Sequence, residues 1–113
     1  MSPITTHILD TARGCPAAGV PITLEKRNPD GSFSQVGAGA TDKDGRLKTL
    51  LPAGGLEPAT YRINFDTGAY FTAIGVEGFY PSASVVFIVR DATAHYHVPL
   101  LVSPFGYSTY RGS

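Results

Sequence analysis

Three histidines are the residues best suited to chemistry in this chain of 113 residues: His7, His95 and His97. Imidazole changes charge near neutral pH, so it can take up or release a proton under ordinary conditions. His95 and His97 stand two apart in "HYHVPLLV". On a strand that spacing sets both on one face with Leu101, while Tyr96, Val98 and Leu100 point the other way. His7, in "THIL", shares a face with Thr5 and Leu9. A lone strand histidine is most often a solvated or satisfied side chain, and a pair on one face is a stronger signal. The pair could also give two ligands to zinc, with His7 as a third, where three or four must converge. No HExxH motif or cysteine partner accompanies them, so the expected metal is none.

Other candidates are weaker. Cys15 lies in the turn-like "RGCPAAG", where neighbouring Arg13 would favour its thiolate. The plainer reading is a small residue in a loop. As the single cysteine it excludes an intramolecular disulfide and any multi-cysteine metal site. Asp30, Asp42 and Asp44 occupy turn sequences and do not make an acid–base pair. Arg46 follows "DKDG" and opens a strand, which by itself makes it a surface arginine. Neither a GxSxG elbow nor a phosphate-binding glycine loop is present.

The elements that must position these residues are strands. Thirteen glycines and nine prolines break the chain at short intervals, and the stretches between them alternate, as in a β-sandwich or barrel. "VPITLEKR" and "SFSQVGAGAT" flank the turn "NPDG" and form a hairpin. "DKDG" introduces "RLKTLL". In "YRINFDT", Tyr61, Ile63 and Phe65 face one way and Arg62, Asn64 and Asp66 the other. "DTGAYFTAIG" is the one short helix, capped by Asp66 or Thr67 and ended by Gly75. "SVVFIVRD" is apolar on both faces, so both are covered, one by the core and one by another layer or subunit. Pro99 predicts an edge or a bulge in "HYHVPLLV", and "GYSTYR" is the last of about eight strands.

Composition narrows the function classes. Nine basic and nine acidic residues cancel, leaving no electrostatic footprint for nucleic acid or an anionic membrane. No apolar run reaches membrane-spanning length. "MSPITTHILD" lacks the basic and apolar segments of a secretory signal, so the expected location is cytoplasmic. Residues 1–113 are expected to form a single domain.

Larger pieces match a known family in order. "THILDTARGCPAAGVPITLEK", "GATDKDGRL", "YRINFDTGAYF", "FYP" and "HYHVPLLVSPFGYSTYRGS" resemble the transthyretin-like proteins over residues 4–113. The resemblance implies an all-β, transthyretin-like sandwich of two four-stranded sheets with one short helix, assembled as a homotetramer (a dimer of dimers) around a central channel. One branch of that family carries thyroid hormone, and the other hydrolyses 5-hydroxyisourate in urate breakdown. The hydrolytic branch is set apart by a first-strand histidine, an arginine after the Asp-Gly turn, a histidine in HxHVPLL and a closing Tyr-Arg-Gly-Ser. Those positions are His7, Arg46, His97 and Tyr110, Arg111, Gly112 and Ser113.

The resemblance therefore implies hydrolysis of a cyclic amide in a small-molecule substrate, with no cofactor. His7 and His97 would activate water and transfer protons, Arg46 would orient substrate, and Tyr110–Ser113 would complete the wall. The Ser113 carboxylate would hold a histidine or arginine. His95 stays outside the implied catalytic set. The alternative is a transthyretin-type carrier without catalysis, whose channel would favour small and apolar residues over this polar set.

Overall fold

The computed structural model describes residues 2–113. Alternation of apolar and polar side chains builds two sheets packed face to face. One is ordered β4 (Phe33–Ala40), β3 (Pro21–Arg27), β6 (Ala59–Phe65) and β7 (Ala83–Val89). The other runs β2 (Cys15–Pro16), β1 (Ile4–Asp10), β8 (Tyr96–Ser103) and β9 (Gly106–Thr109). A two-residue strand, β5 (Arg46–Leu47), also pairs with β1, making this sheet five-stranded. Ile4, Ile8, Val98 and Leu100 from the second sheet meet Ile22, Leu24, Tyr61, Ile63 and Phe65 from the first, all buried. This apolar layer supplies the main drive for folding.

The helix falls where expected. α1 spans Thr67–Ala73, and Asp66 Oδ1 accepts from the Ala69 amide at 3.0 Å. Gly75, at φ 73°, takes the left-handed conformation that ends it. Tyr70 and Phe71 bury against the sandwich. The Tyr70 hydroxyl donates to Asp10 Oδ2 at 2.7 Å. Asp10 is itself buried and accepts from the Ala12 and Arg13 amides. These bonds supply partners to a carboxylate that would otherwise be costly to bury.

The strands differ from expectation in three places. "RLKTLL" shortens to Arg46–Leu47, and Cys15–Pro16 adds a small strand inside a segment read as a turn. β8 is not an edge strand. It lies between β1, to which it is parallel, and β9, to which it is antiparallel. Pro99 is tolerated there because the ladder with β9 is interrupted opposite it. Regular pairing stops at Leu100–Thr109 and resumes in the same register as one bridge, His97–Gly112.

Candidate active site

The outer face of the five-stranded sheet carries the histidines. Parallel pairing of β1 with β8 sets Thr5 opposite His97 and His7 opposite Pro99, while β5 sets Arg46 opposite His7. Residues in register on neighbouring strands share a face, so residues far apart in sequence become neighbours here. A cleft of about 280 Å³ opens beside them. It is lined by Thr5, Thr6, Arg46, Lys48, His95, His97 and Ser113.

Turn chemistry fixes Arg46. Asp42 Oδ1 accepts from the Asp44 and Arg46 amides at 2.8 and 3.0 Å, closing the "DKDG" turn. Gly45 has φ 74°, and its carbonyl accepts from the Ile8 amide at 2.8 Å. The turn is thereby docked on β1. Leu47 then points inward and is buried, leaving Arg46 outside and exposed.

His97 is half-buried, and its Nδ1 lies 2.9 Å from Thr5 Oγ1. The same hydroxyl lies 3.2 Å from His95 Nε2. Burial pushes the His97 imidazole below its ordinary value. The nearby charges of His7, His95 and Arg46 add to that, and only a hydrogen bond to the Thr5 backbone opposes it. The neutral imidazole, with a lone pair available on one ring nitrogen, is therefore favoured.

The tail closes the site from the other side. The Gly112 amide donates to the His97 carbonyl at 2.8 Å. A Cβ on Gly112 would come within 2.5 Å of His97 Cδ2, so the imidazole ring occupies the space a side chain would need.

The structure does not gather all the expected residues into one place. Arg46, His97 and Ser113 line the cleft, and Gly112 lies against His97. His7 is beside Arg46 in register and near enough to bias His97, but is not part of the cleft's lining. Tyr110 and Arg111 border a neighbouring cavity of about 250 Å³ with Val86, Ile88 and Tyr96. There the Arg111 guanidinium stacks 4.6 Å above the Tyr96 ring. His97 borders both spaces. Among the described residues no three histidines, cysteines or carboxylates converge as a metal ligand set.

Thr5, Lys48 and His95 are site residues that the sequence reading left out. Lys48 lies two residues beyond Arg46, and Thr5 two before His7 on the same face. Period-two spacing was the available signal for both.

Together these features define a β-sandwich protein with an open, polar, histidine–arginine cleft on the outer face of one sheet. Comparison with known proteins identifies the family. The sequence matches the HIUase/Transthyretin family over residues 4–112, and the chain belongs to that family. It is 46% identical over 110 residues to the 5-hydroxyisourate hydrolase of Salmonella dublin, covering 97% of this chain and 80% of the relative. Among solved structures, Klebsiella pneumoniae 5-hydroxyisourate hydrolase superposes with a TM-score of 0.87 at 35% identity, covering 100% of both chains. Sea bream transthyretin, in complex with thyroxine, superposes with a TM-score of 0.92, also at 35% identity, covering 97% of this chain and 94% of that one. The fold is common to both, so the site must discriminate between catalysis and carriage.

Proposed function

We propose that this protein hydrolyses 5-hydroxyisourate to 2-oxo-4-hydroxy-4-carboxy-5-ureidoimidazoline in urate degradation. One observation carries the reading: a single cleft holds the half-buried His97 imidazole, whose proton affinity burial lowers, together with the cationic side chains of Arg46 and Lys48. A carrier of apolar aromatic ligands has no use for that set. An amide-opening enzyme can use it as base and oxyanion clamp.

Ring opening needs water to add to a lactam carbonyl and the ring nitrogen to leave with a proton. His97 accepts the proton of the attacking water, because its neutral form has a free lone pair. Arg46 binds the substrate oxygens through its planar fork and stabilises the oxyanion that develops, with Lys48 as a second positive charge. His7, next to Arg46, disfavours a resting charge on His97 and takes part in proton transfer. Ser113 and Gly112 close the cleft beside His97, with Gly112 setting the position of its ring, while Tyr110 and Arg111 wall the adjoining cavity that His97 also borders. The scheme uses no metal and no organic cofactor.

Residues 1–113 act as one domain, the working assembly is a homotetramer, a dimer of dimers, and the compartment is the cytoplasm. The apolar residues Val86 and Ile88, 58% and 51% exposed on edge strand β7, support a partner chain along that edge. No helix among the described residues is long and apolar enough to cross a membrane.

The test is direct. 5-Hydroxyisourate generated by urate oxidase is followed by its ultraviolet absorbance with and without the protein. Accelerated decay, lost in His97→Ala and Arg46→Ala, is the expected result. Decay at the spontaneous rate would refute the function, and undiminished rates in both variants would refute the site.

A further inference from the structure

His97 is not held by the sheet alone. Its Nδ1 is within hydrogen-bonding distance of Thr5 Oγ1 at 2.9 Å, and that oxygen also reaches His95 Nε2 at 3.2 Å. Among the described residues nothing in the chain bonds His97 Nε2. A hydroxyl has one proton and can donate to one of the two rings only, so it must accept from the other. Two arrangements satisfy both bonds. In the first, His97 Nδ1–H donates to Thr5 and the Thr5 hydroxyl donates to His95 Nε2, which leaves His97 Nε2 bare. In the second, His95 Nε2–H donates to Thr5, Thr5 donates to His97 Nδ1, and His97 Nε2 carries the hydrogen.

We infer that Thr5 and His95 form a proton relay behind His97, which holds Nε2 bare as the base and then drains the proton it collects. This rests on the hydrolase reading above and assigns roles to two residues outside it. The transfer balances. Water gives a proton to His97 Nε2, His97 Nδ1–H passes to the Thr5 oxygen, and the Thr5 hydroxyl proton passes to His95 Nε2. His97 ends neutral with Nε2–H and the positive charge ends on His95. As Nε2–H is given to the leaving nitrogen, the His95 proton returns through the Thr5 hydroxyl to His97 Nδ1, which restores the starting arrangement. The outward transfer is downhill in solvation, since His97 is half-buried whereas His95 is exposed and precedes β8.

The groups facing the relay fit the same direction. His7 of β1 and Arg46 of β5 disfavour a lasting charge at the His97 end, and Lys48 lines the same cleft. Ser113 closes the cleft from the tail. Thr5 and His95 are thus positioning residues, acting through His97. The β1–β8 register that sets Thr5 opposite His97 is what makes the relay possible.

Three variants separate the relay from simple packing. Thr5→Val keeps the β-branched shape and removes the hydroxyl. It is expected to lower kcat by about 10- to 100-fold, part of what general acid–base catalysis contributes, with KM little changed. Thr5→Ser restores the hydroxyl and should restore kcat. His95→Gln, at an exposed position, keeps an acceptor for Thr5 but no site for a proton, so kcat should fall severalfold. Nitrogen-15 NMR of the histidine rings, without substrate, reads the tautomer directly. His97 should carry its hydrogen on Nδ1 in the wild type and in His95→Gln, and shift toward Nε2–H in Thr5→Val. A wild-type His97 protonated on Nε2, or ring signals indifferent to Thr5→Val, would overturn the relay. So would equal losses in Thr5→Val and Thr5→Ser, or a His95→Gln variant with unchanged kcat. Because the NMR needs no turnover, the expected tautomers in a protein that failed to hydrolyse 5-hydroxyisourate would uphold the Thr5–His95 hydrogen-bond arrangement and reject the function.

Discussion

His97 combines two demands that usually conflict, being sheltered enough to stay neutral and open enough to reach substrate. Its lowered proton affinity, caused first by burial and then by His7, His95 and Arg46, has two measurable effects. The acidic limb of the kcat/KM profile should fall below the ordinary imidazole value of about 6.5. Stability should follow with a definite sign. Between the folded and unfolded values the unfolded chain binds more protons at this site, so stability falls as pH drops from about 6.5 through the folded value. Thermal melts between pH 7 and 5 should show that loss, and His97→Gln should reduce it. A profile centred above 6.5 would contradict the assigned environment. Gly112 is the second residue-scale constraint. Gly112→Ala sets a methyl 2.5 Å from His97 Cδ2 and 3.3 Å from Pro99 Cγ, so the ring must move. A displacement near 1 Å can reduce rate by about 100-fold, and kcat in this variant should fall on that scale while the fold persists.

At the level of elements, the turn before β5 governs Arg46. Gly45 combines φ 74° with a neighbour, the Ile8 carbonyl oxygen, 2.5 Å from where a Cβ would stand. Gly45→Ala should cost about 1–3 kcal/mol in backbone strain and loosen Arg46, raising KM more than it lowers stability would suggest. Steady-state kinetics beside a urea titration would check both. The same segment shows what the sequence made legible. "DKDG" announced a turn and "YRINF" a strand, since each depends on residues close along the chain. The extent of β5, two residues, depends on how far β1 can pair with it. The interior place of β8 was hidden for the same reason. Pro99 argues for an edge or a bulge when read alone, and only the interrupted pairing with the tail shows which way an interior strand accommodates it. His97 and Arg46 were recognisable through family resemblance. His95 stood out as a histidine but had no partner to read, and Thr5 was not visible at all, because their meeting follows from the parallel register that sets Thr5 opposite His97, about ninety residues away in sequence.

At the scale of the whole molecule, the two sheets end in unlike edges. β7 shows Val86 and Ile88 to solvent, more than half exposed. Val86→Glu with Ile88→Glu should leave the sandwich folded, since neither side chain enters the core, but shift the assembly to smaller species by sedimentation velocity. An unchanged sedimentation coefficient would remove β7 from the interface. The opposite edge is built differently. Beyond Thr109 the regular ladder gives way, at Pro99, to a single bridge through Gly112. Residues 110–113 can therefore lift from the sheet without disturbing the core, an opening that costs less than global unfolding. The tail is a latch held by that bridge and by the stacking of Arg111 on Tyr96. A ligand that touches Ser113 would hold it shut, and amide hydrogen exchange at Gly112 would slow with occupancy while exchange in β3 and β6 would hardly change.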